Sequence, residues 1–216
     1  MNMLCSQTMF FTLPSLQSEG VPGIGRLLKK SSTNFCQMQV ILQTARLYLR
    51  CFNDNDEDAA LILHLNSQPG VLQYLHEFPL LSVSDARSIL QTVILPQYEN
   101  KLGRWAVHLK DSDEFIGWCG LKFRPERNET DLGYRLLPSF WGNGYASEAA
   151  KGCLKYAFEE LGLAIIHACA HKQNTASLSI LTKIGMHYTG DEIIDHCPVK
   201  CFEITKQNYS GTSALA

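Results

Sequence analysis

A strand, a glycine turn and a helix follow one another in this chain. The segment 131–137 predicts a buried strand, and residues 147–161 have the apolar spacing of an amphipathic helix. Between them lies the sequence WGNGYA, residues 141–146. Glycine lets the backbone approach a ligand closely, and the first N–H groups of a helix have no internal partner and favour an anion. The pattern predicts a phosphate site, although a turn that uses glycine for steric reasons alone would look the same.

The remaining hydrophobic patterns predict one α/β domain. Along the chain we expect a strand, two helices, three strands, a helix, a strand, a helix and two strands. This order describes an α+β domain whose mixed, mostly antiparallel sheet has about six or seven strands, flanked by about four helices. The 216 residues are enough for one such domain with its own core.

The two ends of the chain differ from the rest. Residues 1–38 mix Ser, Gly, Pro and Thr with isolated apolar residues and show no period, which predicts a disordered extension. The domain is expected over 39–208, followed by a disordered tail at 209–216. Met38 could also be the start of translation, and the sequence leaves both alternatives open.

Composition excludes several classes of function. The formal charge of −2 argues against a nucleic-acid-binding surface, and no apolar run is long enough to span a membrane. No charged segment of a secretory signal precedes Arg26, so we expect a cytoplasmic protein with mostly reduced cysteines. His196, Cys197 and Cys201 lie close together, but no second cluster completes a zinc site, so no metal is expected.

The segment 141–149, with 131–137 before it and 174–177 after it, resembles the GNAT superfamily of acetyltransferases. The likeness is greatest to the branch of the ribosomal-protein-alanine N-acetyltransferases, and it extends over about 42–205. A linked set of elements in the right order is far more specific than two glycines. The resemblance implies a single GNAT-like domain with a splayed central cleft, which would suit a narrow ligand such as the pantetheine arm of acetyl-CoA.

The resemblance also implies the cofactor and the residues that bind it. This superfamily binds acetyl-CoA at a Q/R-x-x-G-x-G/A loop, whose last two positions are Gly144 and Ala146 here, while Trp141 stands where Gln or Arg is usual. Asn174 matches a cofactor contact but is equally well explained as a helix N-cap. The positions assigned to the cofactor are Arg135, Leu136, Leu137, Trp141, Gly142, Asn143, Gly144, Tyr145, Ala146, Ser147 and Asn174.

The expected reaction is direct attack of a primary amine, on a protein N-terminus or a small molecule, on the thioester of acetyl-CoA. Asp131 matches an acidic position of this branch, and with Glu129 it is a candidate base, although a solvated strand end would look the same. Many members of the superfamily carry a Tyr acid seven residues after the Asn, but this position is Leu181 here. Ser177, Tyr134 or water could protonate the leaving thiolate.

Two further hypotheses belong to other classes. A non-catalytic CoA-binding sensor or scaffold is compatible with the missing Tyr. A dinucleotide fingerprint fits the turn but lacks a convincing β-α-β context. The identity of the amine and the formation of a homodimer are not determined by the sequence.

Overall fold

The structure is a computed structural model, and it describes residues 2–3, 39–75 and 77–209. Of the extension expected at 1–38, only residues 2–3 are among these, and they form a strand. The tail expected at 209–216 lies outside the described residues except for Tyr209. Neither expectation of disorder is tested.

Three of the four α-helices in the described residues begin with a side-chain cap, among them the predicted cap Asn174, while the helix predicted from residue 147 begins at Tyr145, two residues earlier. The caps are Asn55, Ser82 and Asn174, whose side chains accept hydrogen bonds from the backbone N–H groups of residues 58, 85 and 177. The helices are α1 (Asp56–Ser67), α2 (Val83–Ile89), α3 (Tyr145–Lys155) and α4 (Thr175–Lys183). A π-helical and a 3-10 segment extend α2 to Asn100, and a π-helical segment extends α3 to Glu160.

The strands form one sheet in the order β2-β3-β4-β5-β6-β7-β9-β8, and β1 pairs with β6 outside this path. Every neighbouring pair is antiparallel except β6 and β7, which are parallel. The strands are β1 (Asn2–Met3), β2 (Val40–Gln43), β3 (Leu47–Arg50), β4 (Gly103–Leu109), β5 (Phe115–Arg124), β6 (Glu129–Leu136), β7 (Ile165–His171), β8 (His187–Ile194) and β9 (Cys197–Thr205).

The predicted α/β class and the mostly antiparallel sheet are confirmed, but the predicted strand count is too low. The two strands that sequence patterns missed are β1 and β2. Both are short, with two and four residues, and neither shows the alternation of apolar and polar residues that marks a half-buried strand. Their pairing partners, rather than their own sequences, make them strands.

Two hydrophobic layers cover opposite faces of the sheet. Helix α3 packs on one face, where Trp105 and Tyr134 are among the largest fully buried side chains, and its predicted apolar face is buried over residues 149–158. Helices α1 and α2 pack on the other face around Phe52 and Leu90. The sheet is therefore sandwiched over β3–β6, and the candidate site lies at the edge of this region.

Candidate active site

The cleft expected between β6 and β7 begins at one pair of residues. Asp131 and His167 are the single registered pair between these parallel strands. Beyond it β1 pairs with β6, with Asn2 opposite Arg135 and Met3 opposite Tyr134, and β1 also contacts β7. The backbone edge of β6 at residues 134–135 is therefore occupied by another strand of the same chain.

The glycine turn has the left-handed backbone that its sequence predicts. Gly142 has φ 80° and Gly144, which directly precedes α3, has φ 79°. A Cβ atom at Gly142 would have no neighbour within 4 Å, so the backbone conformation rather than crowding requires glycine there. No side chain of the described residues caps the N-terminus of α3, which leaves its first N–H groups available to an anion.

Arg46 lies beside this turn, a position that the sequence did not reveal. Its Nη1 atom donates a hydrogen bond to the carbonyl oxygen of Asn143 at 3.1 Å, and its guanidinium lies 4.4 Å from the ring centre of Tyr145. Its Nε atom donates to Glu148 at 2.7 Å. Arg46 precedes β3 and is about a hundred residues from the turn in sequence, so only the pairing of β2 and β3 against α3 brings this cation to the candidate phosphate site.

Glu148 connects the first turn of α3 to the segment between β2 and β3. Its carboxylate accepts hydrogen bonds from the Thr44 hydroxyl at 2.6 Å and from the backbone N–H of Arg46 at 2.8 Å. Burial alone would raise the pKa of Glu148, but these bonds and the Arg46 guanidinium outweigh burial and lower it. The ionised carboxylate therefore holds Arg46 next to the turn.

Trp141 anchors the start of the turn to the end of β6. Its Nε1 atom donates to the carbonyl oxygen of Leu136 at 2.8 Å, and its ring packs against Gly70. The backbone N–H of Leu137 donates to the carbonyl oxygen of Ile116 at 2.9 Å. Two of the backbone groups expected to meet the pantetheine arm thus already have partners within the protein.

The side chain of Arg135 points away from the glycine turn and toward α1. It is 3% exposed, and its guanidinium donates to Asn66 and to both carboxylate oxygens of Glu77, at 2.9 and 3.0 Å. It also lies 5.4 Å from the ring centre of Trp118. Arg135 therefore ties β6 to α1 and to the segment that follows it, so only its backbone faces the cleft.

The two candidate bases are both ion-paired. Asp131 is 2% exposed, with Oδ2 2.7 Å from Arg104 and Oδ1 3.3 Å from Arg124. Glu129 is half-buried, and its carboxylate lies 2.8 Å from Arg127. Asp131 is therefore not at a solvated strand end.

Ser177 and Tyr134 lie together where α4 packs against β6. Ser177 is fully buried, its backbone N–H donates to the Asn174 side chain at 3.2 Å, and its carbonyl oxygen accepts from the Tyr134 hydroxyl at 3.4 Å. Burial raises the pKa of Tyr134, which makes its phenol a poorer proton donor. The helix N-cap interpretation of Asn174 is confirmed.

Within residues 2–3, 39–75 and 77–209, no group of three or more His, Cys, Asp or Glu side chains could hold a metal ion. Cys119, Cys153, Cys169, Cys197 and Cys201 are free thiols, whereas Cys51 is disulfide-bonded. In the same part of the chain, no helix is both long and apolar enough to cross a membrane.

The chain is an acyltransferase: it belongs to the acetyltransferase (GNAT) domain family, whose model matches residues 46–187. It is 32% identical over 180 residues to the uncharacterized N-acetyltransferase p20 of Bacillus licheniformis, covering 79% of this chain and 98% of that protein. The expected family, its transferase class and its single-domain fold are confirmed.

Two solved structures show the same fold. A GNAT-family acetyltransferase from Bacillus anthracis superimposes with a TM-score of 0.66 at 24% identity, covering 77% of this chain and 98% of that chain. RimL, the ribosomal L7/L12 alpha-N-protein acetyltransferase in complex with coenzyme A, also gives a TM-score of 0.66, at 18% identity and with the same coverage. At these identities the likeness concerns the fold alone.

Proposed function

We propose that this chain transfers an acetyl group from acetyl-CoA to the primary amine of a protein N-terminus or a small molecule. The observation that carries the proposal is the N-terminus of α3, which no described side chain caps and which follows two left-handed glycines. Backbone N–H groups of 142–146 and the N-terminal turn containing Ser147 would surround the pyrophosphate. Arg46 adds a cation beside the same anion.

The acyl end of the cofactor would lie in the cleft along β6. Backbone groups of residues 135–137 would contact the pantetheine amides and polarise the thioester, with Asn174 at the opposite wall. A single hydrogen-bond donor to the oxyanion can lower the activation free energy by about 3 kcal/mol. Since β1 now pairs with residues 134–135, bound pantetheine and β1 would compete for this edge.

The chemistry needs one bond to form and one to break. The amine lone pair attacks the thioester carbon, the carbon–sulfur bond breaks, the nitrogen loses a proton, and the thiolate gains one to give free coenzyme A. An α-amine with a pKa near 8 is roughly one-tenth neutral at pH 7, so it needs little help. We propose that Asp131 or Glu129 accepts the proton of the amine through water. Ser177 or water would supply the proton that the thiolate gains.

Calorimetric titration with acetyl-CoA, followed by mass spectrometry of amines incubated with the protein and acetyl-CoA, tests this function. The panel should contain ribosomal-protein N-terminal peptides, their N-blocked forms as controls, and small polyamines. We expect micromolar binding and an increase of 42 Da, the mass of one acetyl group, on at least one unblocked amine. Binding without any product would favour the sensor or scaffold alternative, and no binding by folded protein would overturn both.

A further inference from the structure

A second concave site lies away from the glycine turn, at the carboxyl end of β5. This cavity has a volume of about 410 Å³, and no residue of the glycine turn lines it. Its walls include Gln97, Lys122, Arg124, Arg127 and the turn 193–195. We name it the β5 cavity. Three of its lining residues are basic, and two, Glu126 and Asp195, are acidic.

The charges beneath the β5 cavity do not balance. Arg104 and Arg124 are each 6% exposed, Lys122 is half-buried, and Lys122 is the cross-strand partner of Asp131. Asp131 is the one buried carboxylate among them, and it pairs with both arginines. Burial, and then the charges of Arg104 and Arg124, lower the pKa of Lys122. Three cations thus share one carboxylate, and buried charge without a counter-charge is costly.

The other acidic residues near the cavity do not remove this excess. Glu129 and Glu192 each lie 2.8 Å from Arg127, so they compensate that guanidinium instead. Glu126 is exposed at the cavity rim, where water screens its charge. Asp195 also lines the cavity and has contacts of its own. Among the residues that the structure describes, the positive charge on Lys122, Arg104 and Arg124 is therefore only partly neutralised.

Arg124 presents donor atoms that the described residues leave unused. Its Nε and Nη2 atoms are buried and have no hydrogen-bond partner in that part of the chain. Nη2 lies 3.3 Å from Asp131 Oδ1 in an ion pair, so Nε is the donor of Arg124 that has no counterpart at all among the described residues. A buried donor without a partner costs about 1–3 kcal/mol, and adjacent Nε and Nη donors match the two oxygens of a carboxylate or phosphate.

We propose that the β5 cavity is a binding site for an oxyanion, a carboxylate or a phosphate, which the Arg124 guanidinium and the Lys122 ammonium group bind together. The ligand would supply the missing negative charge and satisfy the Arg124 donors together. The site is distinct from the proposed pyrophosphate site, and the proposal does not depend on acetyl transfer. The anion could be a free ion or a group on the acceptor amine.

The test is calorimetric titration of the full chain with inorganic phosphate and with succinate at constant ionic strength, without and with saturating acetyl-CoA. We expect saturable binding under both conditions. Lys122→Gln should weaken it about tenfold, in line with the loss of one charge-assisted contact, and Arg124→Gln should abolish it. Lys151→Gln, on the exposed side of α3, is the charge-matched control and should bind as the parent does.

Two results would overturn the site. One is the absence of saturable binding of either anion by the parent protein, and the other is equal binding by Lys122→Gln and Lys151→Gln. Because Lys122 is only half-buried, its variant keeps the test valid even where Arg124→Gln fails to fold. Acetyl-CoA that displaces phosphate completely would show instead that the anion occupied the pyrophosphate site, and would also overturn the proposal.

Acetylation rates then identify the source of the anion. Amines with a free carboxylate are compared with the same amines as amides, in the parent and in Lys122→Gln. A rise in KM of about tenfold for the carboxylates alone would identify the acceptor as the source, whereas equal KM values with weakened phosphate binding would identify a free ion. The calorimetric arm is independent of these rates, so failure of the acetyltransferase function and failure of the anion site are distinguishable.

Discussion

The glycine turn and the β5 cavity are two anion sites built in opposite ways. The turn offers backbone N–H groups at an open helix N-terminus, with the partly exposed Arg46 beside it. The cavity offers formal charges on the half-buried Lys122 and the buried Arg124, which lie two residues apart on β5. Backbone dipoles require no charge to leave water, whereas the buried cations are stable only with a counter-charge. A site of the first kind is therefore stable without an anion, whereas a site of the second kind should gain stability when an anion binds.

The largest expected effect is on the free energy of unfolding, and it concerns Asp131 beneath the β5 cavity. Asp131→Asn would leave Arg104 and Arg124 without their shared carboxylate, and we expect a loss of about 3–5 kcal/mol in the free energy of unfolding. Urea denaturation measures this loss. Asp191→Asn is the matched control, because Asp191 also lies between two cations, Lys172 and Lys200, but is exposed. An equally small loss in both variants would contradict the account of the buried charges.

At the glycine turn, a substitution should affect binding more than stability. Gly144→Glu would strain a backbone with φ 79° and place a carboxylate near Arg46, whose Nη2 atom lies 3.6 Å from the Cβ position. We expect roughly a hundredfold weaker binding of acetyl-CoA by calorimetry, since each tenfold corresponds to 1.4 kcal/mol.

Gly162→Glu is the control for this variant. Gly162 also has a positive φ, 67°, and open space around its Cβ position, but it ends the helix that the turn begins. The Gly162→Glu substitution should strain the backbone similarly, and this variant should bind acetyl-CoA as the parent does. Equal loss of binding in both variants would show that strain, rather than the site, explains the effect.

Glu148 connects the first turn of α3 to the segment between β2 and β3, and the stability that it contributes should depend on pH. The pKa of Glu148 is lowered in the folded chain, so its stabilising contribution is present above its unfolded pKa of about 4.5 and is lost as pH falls through the folded value. Glu148→Gln should cost about 1–2 kcal/mol at pH 7 and little at the acid end. Thermal unfolding across this range checks the difference, with Glu159→Gln on the exposed face as control. A loss independent of pH would mean that packing, not charge, is involved.

The smallest expected effect concerns β1. Residues 2 and 3 pair with β6, and proline at both positions has no backbone N–H to donate, whereas alanine at both keeps its N–H groups. One ladder hydrogen bond contributes about 0.5–1.5 kcal/mol, so the proline variant should bind acetyl-CoA about threefold to tenfold more tightly than the alanine variant. Equal affinities would show that β1 and the cofactor do not compete.

The sequence predicted the glycine turn because its signal is local: a strand, two glycines and an amphipathic helix lie within about thirty residues. The Asn174 cap was equally readable, since the cap and the N–H that it satisfies are three residues apart. Local chemistry of this kind does not depend on which strands pair.

The partners of Asp131 show why the rest was missed. Arg104 is on β4 and Arg124 on β5, and only the register of the three antiparallel strands brings their side chains to one carboxylate. Arg46 likewise lies next to the turn only because distant parts of the chain meet in the fold. The sequence therefore identified Asp131 as a candidate without indicating that two guanidinium groups hold it.

The single pair of Asp131 and His167 between β6 and β7 divides the sheet into two halves that can form separately. Strands β2 to β6 each pair with the next strand along the chain, and α1 and α2 lie in the sequence between the paired strands β3 and β4. Strands β7 to β9 form a second local set. Short-range pairing closes quickly, whereas joining the halves must wait until both exist. We expect pulse-labelling hydrogen exchange to show amides of β4 and β5 protected before those near this junction. The cleft that would accept the cofactor would then be the last part of the sheet to take shape.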